Sequence, residues 1–168
     1  MLVCTALDSA EREGAQVETW STVGKEVKPC DHCEGCLKTG ECHIKDDMQA
    51  LYSSMIEANG IILGTPVHMW SVSAQTKLVM DRTYALRRPT MKLAGKVGGA
   101  IAVAARRGQL AALTVINNFF LGQAMIPVSL GVDGIGSEKG DVNKDQRALS
   151  EASELGRRIV EVGSRLSG

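Results

Sequence analysis

The chain has 168 residues, of which 44% are hydrophobic and 23% charged, and a formal net charge of zero, as in ordinary globular proteins with a sizeable core. This balance gives no electrostatic attraction to a polyanion, so we do not expect nucleic-acid binding as its main function. The sequence has no apolar run of the ~20 residues needed to span a membrane and no signal-peptide pattern at its start. We therefore expect a cytoplasmic protein with no membrane partner, folded as a single domain over residues 1–168.

The N-terminal part predicts one helix and one short strand. Apolar residues at helical spacing over residues 1–13 predict a helix, which Gly14 ends. Cys4 lies in this helix among apolar neighbours, and we interpret it as a small core residue. Residues 16–21 alternate apolar and polar side chains, which predicts a strand at the edge of a sheet.

A long cysteine-rich loop is expected over residues 22–45. Four of the five cysteines fall in it with the spacing C-x2-C-x2-C-x5-C, among charged residues and glycines. Most connections in compact domains run ~4–6 residues, so a loop of this length indicates a function. In a reducing compartment, clustered cysteines indicate ligands or redox groups rather than structural disulfides.

The cysteine spacing favours a [4Fe–4S] cluster, because three thiols at three-residue steps, followed by a fourth after a short arc, can place four thiolates around one compact centre. Zinc usually takes its thiolates as two separated pairs, and zinc or unmetallated thiols and disulfides stay open as alternatives. Two neighbouring histidines, His32 and His43, are interpreted as solvated or as partners of the ligands. The four candidate ligands are Cys30, Cys33, Cys36 and Cys42.

From residue 46 onward, short apolar strands alternate with helices. Continuously apolar strands are typical of parallel strands covered on both faces, so this alternation predicts an α/β doubly wound parallel sheet with helices on both sides. The predicted strands cover residues 60–64, 97–104 and 125–130. The predicted helices are one capped by Asp46 or Asp47, one from Ser71 or Ser73 to Arg82, one over residues 110–120, and a last one after a capping box of Asn143 and Gln146.

Ligands of such sheets bind at the carboxyl ends of the strands, which here are the loops 65–73, 105–109 and 131–142. The first loop mixes aromatic, thioether, imidazole and hydroxyl groups, which suits a flat conjugated ligand; the alternative is that Met69 and Trp70 only cover the sheet end. The second, Arg106-Arg107-Gly108, offers backbone N–H groups and positive charge to an electron-rich ring edge, or is a solvated turn.

Taken together, these segments resemble the iron–sulfur flavoproteins, a branch of the flavodoxin-like, NADPH-dependent FMN reductase group. The resemblance covers nearly the whole chain, and its most specific part is the cysteine motif. It rests on residues 30–42, Asp47-Met48, residues 60–67, Lys77 with Asp81-Arg82, Gly98-Gly99, residues 106–108, residues 139–141 and residues 155–158. It implies a flavodoxin-like oxidoreductase with a [4Fe–4S] cluster on the four cysteines and FMN at the loops around 65–73 and 104–109. The residues implied for the flavin site are Thr65, Pro66, Val67, His68, Met69, Trp70, Ser73, Ala104, Ala105, Arg106, Arg107 and Gly108.

The resemblance also implies partners and one departure from the family. It implies a homodimer or homotetramer, a ferredoxin-like electron donor and a small-molecule acceptor. A family member would begin with a strand and a Gly-Ser-Pro-Arg-like loop for the FMN phosphate, whereas this sequence starts at the following helix, so the first strand is expected to be absent. An FMN-free [4Fe–4S] carrier and a zinc-stabilised FMN reductase are the alternatives.

Overall fold

The computed structural model describes residues 1–167, with side chains to Leu166, as a five-stranded sheet between two layers of helices. The strands are β1 Gly60–His68, β2 Ser71–Val72, β3 Val97–Ala104, β4 Ile126–Pro127 and β5 Val132–Ile135. The helices are α1 Leu2–Arg12, α2 Cys36–Thr39, α3 Met48–Glu57, α4 Ala74–Arg82, α5 Tyr84–Arg87, α6 Gln109–Gly122 and α7 Gln146–Ser167, with a 3₁₀ turn at Asp141–Lys144. No helix among the described residues is long and apolar enough to cross a bilayer.

The sheet is built around β3. Strand β1 runs parallel to it, from Gly60 opposite Val97 to Pro66 opposite Val103. On the other edge of β3 lie β4 and β5, both parallel to it, and β2 forms a short antiparallel hairpin with the end of β1. Because β1, β3, β4 and β5 are parallel and helices cover both faces, the predicted doubly wound α/β architecture is confirmed.

Two cores lie on opposite faces of this sheet. Helices α1 and α7 pack on one face with Ile101, while α3 to α6 pack on the other with Ala100 and Ala102. Two adjacent glycines in β3 allow the helices of both layers to approach the sheet closely. A Cβ on Gly98 would lie 2.8 Å from the Phe120 ring, and one on Gly99 would lie 2.6 Å from Ile159 Cδ1.

Helix α1 packs closely on α7 through small residues. Ala6, Ser9 and Ala10 are buried in α1, and Ser153 of α7 donates a hydrogen bond from Oγ to Ser9 Oγ at 3.2 Å. At Gly156 any Cβ would overlap the carbonyl oxygen of Ala6. Only glycine at this position of α7 permits the observed approach of the two helices.

The interpretation of Cys4 as a core residue is wrong. The buried positions of α1 are Leu2, Ala6, Ser9 and Ala10, which follow the helical period, whereas Cys4 is exposed. Cys4 is two residues from Leu2 and two from Ala6, so it lies about 200° around the helix axis from each of them, on the opposite face.

The strand predicted at residues 16–21 is also wrong, because this segment has no strand partner and runs irregularly, with Trp20 packed against the core of the α3–α6 face. Among the described residues, the outer edge of β1 pairs only with β2, at Val67 and His68. As a result β1, predicted to be covered, is only half-buried over Gly60–Leu63. It also extends beyond the predicted residues 60–64.

The strand predicted at residues 125–130 is interrupted. Pairing with β3 stops after Pro127 and resumes at Val132 with a register shift of two residues. Gly131, at φ +118°, makes the bend, and a Cβ there would lie 2.8 Å from the Ala100 carbonyl oxygen. Part of the loop predicted at residues 131–142 is therefore β5.

The helix caps are partly as predicted. Ser73 caps α4, because its Oγ accepts a hydrogen bond from the Thr76 amide at 3.2 Å. The capping box of Asn143 and Gln146 is wrong, because Asp145 takes that role and accepts the Ala148 amide at 3.0 Å.

Candidate functional site

The four clustered cysteines line one open pocket. All of them are free thiols, and the pocket is completed by residues that include Arg82 and Tyr84. The segment thus brings together the side chains that its spacing predicts as ligands. Cys30 and Cys33 are exposed, whereas Cys36 and Cys42 are partly buried.

Left-handed backbone turns bend the chain between these cysteines. His32 and Glu34 have φ values of 58° and 57°, which are uncommon for residues other than glycine. The single turn α2 then begins at Cys36 and ends at Gly40, with φ 71°. This sequence of bends directs the four cysteines, which are separated along the chain, into one pocket.

The cysteine sulfurs are not gathered as closely as the ligands of one tetrahedral zinc ion. Zinc–sulfur bonds of ≈ 2.3 Å place tetrahedral thiolates about 3.8 Å apart. Within residues 1–166, no three cysteine sulfurs lie within 4.8 Å of one another; the potential ligands that do are Asp31, Cys33 and His43. A cluster that takes one thiolate at each of four corners needs the wider arrangement.

The thiols of the pocket affect one another electrostatically. Burial raises the pKa of the Cys36 thiol, and the neighbouring Cys33, Cys42 and Cys30 raise it further. Four thiolates are therefore unfavourable here without a cation, and a bound metal centre would stabilise all of them in the deprotonated form.

At the rim of the pocket, His43 is paired with Asp31. His43 Nε2 lies 2.8 Å from Asp31 Oδ2, and the Cys33 amide donates to Asp31 Oδ1 at 3.2 Å. Desolvation raises the pKa of Asp31, but the hydrogen bonds with His43 and Cys33 hold it below its usual range. His43 is therefore held by Asp31, which lies between Cys30 and Cys33 in the sequence.

Behind the pocket lies a buried ion pair between Arg82 and Asp46, whose side chains are both fully shielded from solvent. Arg82 bonds both carboxylate oxygens, and its Nη2 lies 3.4 Å from Cys42 Sγ. Asp46 also accepts the amides of Lys28 and Met48, at 2.9 and 3.1 Å. This pair joins the cysteine segment to α3 and α4.

In this pair, burial and the hydrogen-bonded partner of opposite charge shift the pKa of each group in opposite directions. Burial raises the pKa of Asp46, but the hydrogen bonds from Arg82 outweigh it and hold the pKa below its usual range. Burial likewise lowers the pKa of Arg82, and the bond to Asp46 holds it above its usual range. Both groups are thus ionised. Arg82 belongs to the residues that resemble the family, but the sequence predicts no role for it in the site; it lies on the buried face of α4, three residues after Val79.

The two strand-end loops predicted for a flavin lie side by side. A Cβ on Gly108, at φ +103°, would lie 2.9 Å from Val67 Cγ1 and 3.2 Å from Trp70 Cα. The hairpin between β1 and β2 turns through Met69 and Trp70, which both have left-handed backbone. This turn presents Met69 to solvent at 93% exposure and Trp70 at 62%.

Two hydroxyl groups of the predicted flavin loop form hydrogen bonds within the protein. Ser73 and Thr65 are buried, and Thr65 Oγ1 accepts the Ser73 amide at 3.1 Å and the Thr76 hydroxyl at 3.0 Å. They fix the shape of the loop. The remaining predicted residues divide by exposure: Val67 and Gly108 are half-buried, Ala104 is buried, and Pro66, His68, Ala105, Arg106 and Arg107 are exposed.

Helix α4 connects the two candidate sites. It begins after Ser73, in the first strand-end loop, and ends at Arg82, against the cysteine pocket. Nine helical residues span about 13 Å. Helix α4 is one rigid element, so it fixes the distance between the first strand-end loop and the cysteine pocket within the chain.

A family model and related sequences indicate one protein family for this chain. Residues 1–137 match the family model described as NADPH-dependent FMN reductase. An iron–sulfur flavoprotein of Methanocaldococcus jannaschii is 42% identical over 96% of this chain and 88% of its own length. An iron–sulfur flavoprotein of Archaeoglobus fulgidus is 45% identical over 77% of this chain and 68% of its own.

Among solved structures, RosB with a bound intermediate superposes with a TM-score of 0.80 at 14% identity, covering 99% of this chain and 72% of RosB. A flavodoxin-like protein of Agrobacterium tumefaciens gives a TM-score of 0.67 at 16% identity, covering 98% of this chain and 88% of that protein. These likenesses show a flavodoxin-like fold. The chain is an oxidoreductase of the NADPH-dependent FMN reductase family and, within it, belongs to the iron–sulfur flavoproteins.

Proposed function

We propose that the chain is a redox flavoprotein that accepts electrons at the cysteine pocket from a ferredoxin-like donor and delivers them, by way of FMN, to a small acceptor. The observation that carries this proposal is the meeting of four free thiols in one pocket, no three of whose sulfurs lie within 4.8 Å of one another among the described residues. The family supports FMN, and the names of the relatives support an iron–sulfur centre.

Cys30, Cys33, Cys36 and Cys42 are the proposed ligands of a [4Fe–4S] cluster. Such a group supplies one-electron chemistry, and its potential depends on the charge, hydrogen bonds and solvent exposure that the protein sets around it. The exposed Cys30 and Cys33 leave one side of the pocket accessible to a donor protein. We place electron entry at that side.

FMN is proposed to bind at the two adjacent strand-end loops. Trp70 and Met69 offer exposed apolar surface to a flat ring, and Arg106 and Arg107 offer positive charge to its anionic form or to a phosphate. The buried bonds of Thr65 hold this loop in place. We further propose that the chain works in the cytoplasm as a homodimer or homotetramer.

A second candidate is a zinc-stabilised flavin reductase. It is favoured by the single group of described donor atoms that lie within 4.8 Å of one another, those of Asp31, Cys33 and His43. Thiolate, imidazole and carboxylate are all ligands that zinc accepts, and these three leave a fourth position open.

Metal, sulfide and flavin analysis of protein purified without oxygen tests the proposal. We expect about four iron and four sulfide per chain, as a [4Fe–4S] centre requires, with FMN released on denaturation and visible absorption from both groups. One zinc per chain without labile sulfide would instead establish the second candidate. Iron and sulfide without flavin would indicate an FMN-free electron carrier. Absence of both a cluster and a flavin would refute the proposal.

A further inference from the structure

Arg82 lines the cysteine pocket, and its cationic guanidinium group donates a hydrogen bond to a cysteine sulfur. Its Nη2 lies 3.4 Å from Cys42 Sγ, within the range of an N–H···S hydrogen bond. The guanidinium group is also held by the carbonyl oxygen of Lys28 at 2.8 Å and by Asp46. With its side chain fully buried, it has little freedom to rotate away from Cys42.

One donor of this guanidinium group is left without an acceptor. Arg82 Nε is buried and has no hydrogen-bond partner among the described residues. A buried unpaired donor is costly, by about 1–3 kcal/mol, and a native structure normally satisfies it. Arg82 lines the pocket, and the guanidinium nitrogen that contacts a cysteine there is Nη2, whose Cys42 partner is one of the proposed ligands.

We propose that Arg82 is a positioning residue that fixes Cys42 and sets the reduction potential of the metal centre bound there. This inference rests on the proposed [4Fe–4S] site. Reduction adds one negative charge to the centre, and a cation that donates a hydrogen bond to a ligand sulfur stabilises the added charge. Arg82 therefore favours the reduced state, and Asp46 keeps the guanidinium group in place rather than acting on the sulfur itself.

The first test is the cluster potential, measured by a redox titration followed by electron paramagnetic resonance. Replacing the buried pair by a neutral polar pair, Arg82→Gln with Asp46→Asn, avoids leaving one charge unpaired in the interior. We expect the ratio of reduced to oxidised cluster at a fixed solution potential to fall about tenfold, which is about 59 mV for one electron. Arg82→Lys keeps the charge but loses the planar fork, and we expect a smaller fall.

Arg87→Gln is the matched control, because Arg87 lies only five residues further along and donates to the Gly122 carbonyl oxygen at 2.7 Å, outside the cysteine pocket. We expect its potential to equal that of the parent protein. Equal potentials in the parent and in all Arg82 variants, with iron and sulfide intact, would overturn the inference.

A second measurement needs no substitution. Protein labelled with ¹⁵N-arginine is reduced, and pulsed electron paramagnetic resonance is used to detect coupling between the cluster and a guanidinium nitrogen. We expect such a coupling, and its absence would overturn the inference even if the variants fail to bind metal. Parent protein without iron and sulfide would refute the proposed function itself, so the two failures are distinguishable.

Discussion

At the scale of single residues, the sequence predicts that four cysteines lie together but not which residues support them. Cys30, Cys33, Cys36 and Cys42 are visible because their chemistry and short spacing belong to one continuous segment. The contact of Arg82 with Cys42 joins residues 40 positions apart, and no local pattern indicates which buried group an arginine on a helix will meet. Cys4 shows the same difficulty, since its apolar neighbours in sequence lie on the other face of α1.

Trp70→Ala tests the flavin site at this scale. Aromatic contacts contribute ~0.5–1.5 kcal/mol beyond the burial of area, so we expect FMN to bind about two- to thirteenfold more weakly. Quenching of flavin fluorescence during titration of the flavin-free protein measures the affinity. Leu121→Ala removes a comparably exposed apolar side chain on α6, far along the helix from Gly108, and we expect it to leave affinity unchanged. Unchanged affinity in Trp70→Ala would exclude Trp70 from the flavin site.

At the scale of elements, strands with a neighbour on each side are well predicted and isolated ones are not. β3 has the bounds that its apolar run indicates, because it pairs along both edges. Residues 16–21 have a strand-like pattern but no partner to pair with, and a strand is not stable alone. The break between β4 and β5 depends on the close approach of Gly131 to β3, a contact distant in sequence.

Gly156→Ala tests the packing of α1 on α7. The added methyl group would overlap the Ala6 carbonyl oxygen, which belongs to rigid helix backbone, so the helices must separate. Overpacking of this kind costs typically about 1–3 kcal/mol in the free energy of unfolding. Chemical denaturation of the two proteins under identical cofactor conditions measures the difference.

Gly122→Ala is the control for that experiment, because a Cβ at Gly122 would have no atom within 4 Å. We expect no loss of stability, and a gain of up to about 1 kcal/mol from replacing a helical glycine. Equal stability of Gly156→Ala and the parent protein would contradict the packing described here.

At the scale of the whole molecule, the cysteine segment packs against the helices on one face of the sheet. Both cores consist mainly of residues from the sheet and the long helices. The segment is held by side chains: Asp47 accepts the Glu26 amide at 2.7 Å, Lys92 donates to the Gly40 carbonyl oxygen at 2.9 Å, and Gln49 donates to that of Ile44 at 2.6 Å. The α/β class is predictable because it follows from repeated patterns, whereas these attachments are individual contacts.

Removing the metal should therefore loosen the segment and leave the sheet intact. We expect chelation to increase amide hydrogen exchange over residues 26–46 by about tenfold or more, since local opening there no longer breaks metal–thiolate bonds. The amides of β3 are the internal control and should keep their protection. Loss of protection throughout the chain would show instead that the metal centre holds the entire fold together.

Because Cys4 is exposed, the number of thiols that react with a reagent reports whether the other cysteines are bound to metal. The position of Cys4 on α1 lies on the opposite face of the sheet from the helices that carry the cysteine pocket. When the other four of the five cysteines are bound to metal, a thiol reagent should modify Cys4 alone, and all five after chelation. The same thiol accepts a fluorophore or spin label without disturbing the pocket, so occupancy can be followed in a single sample over time.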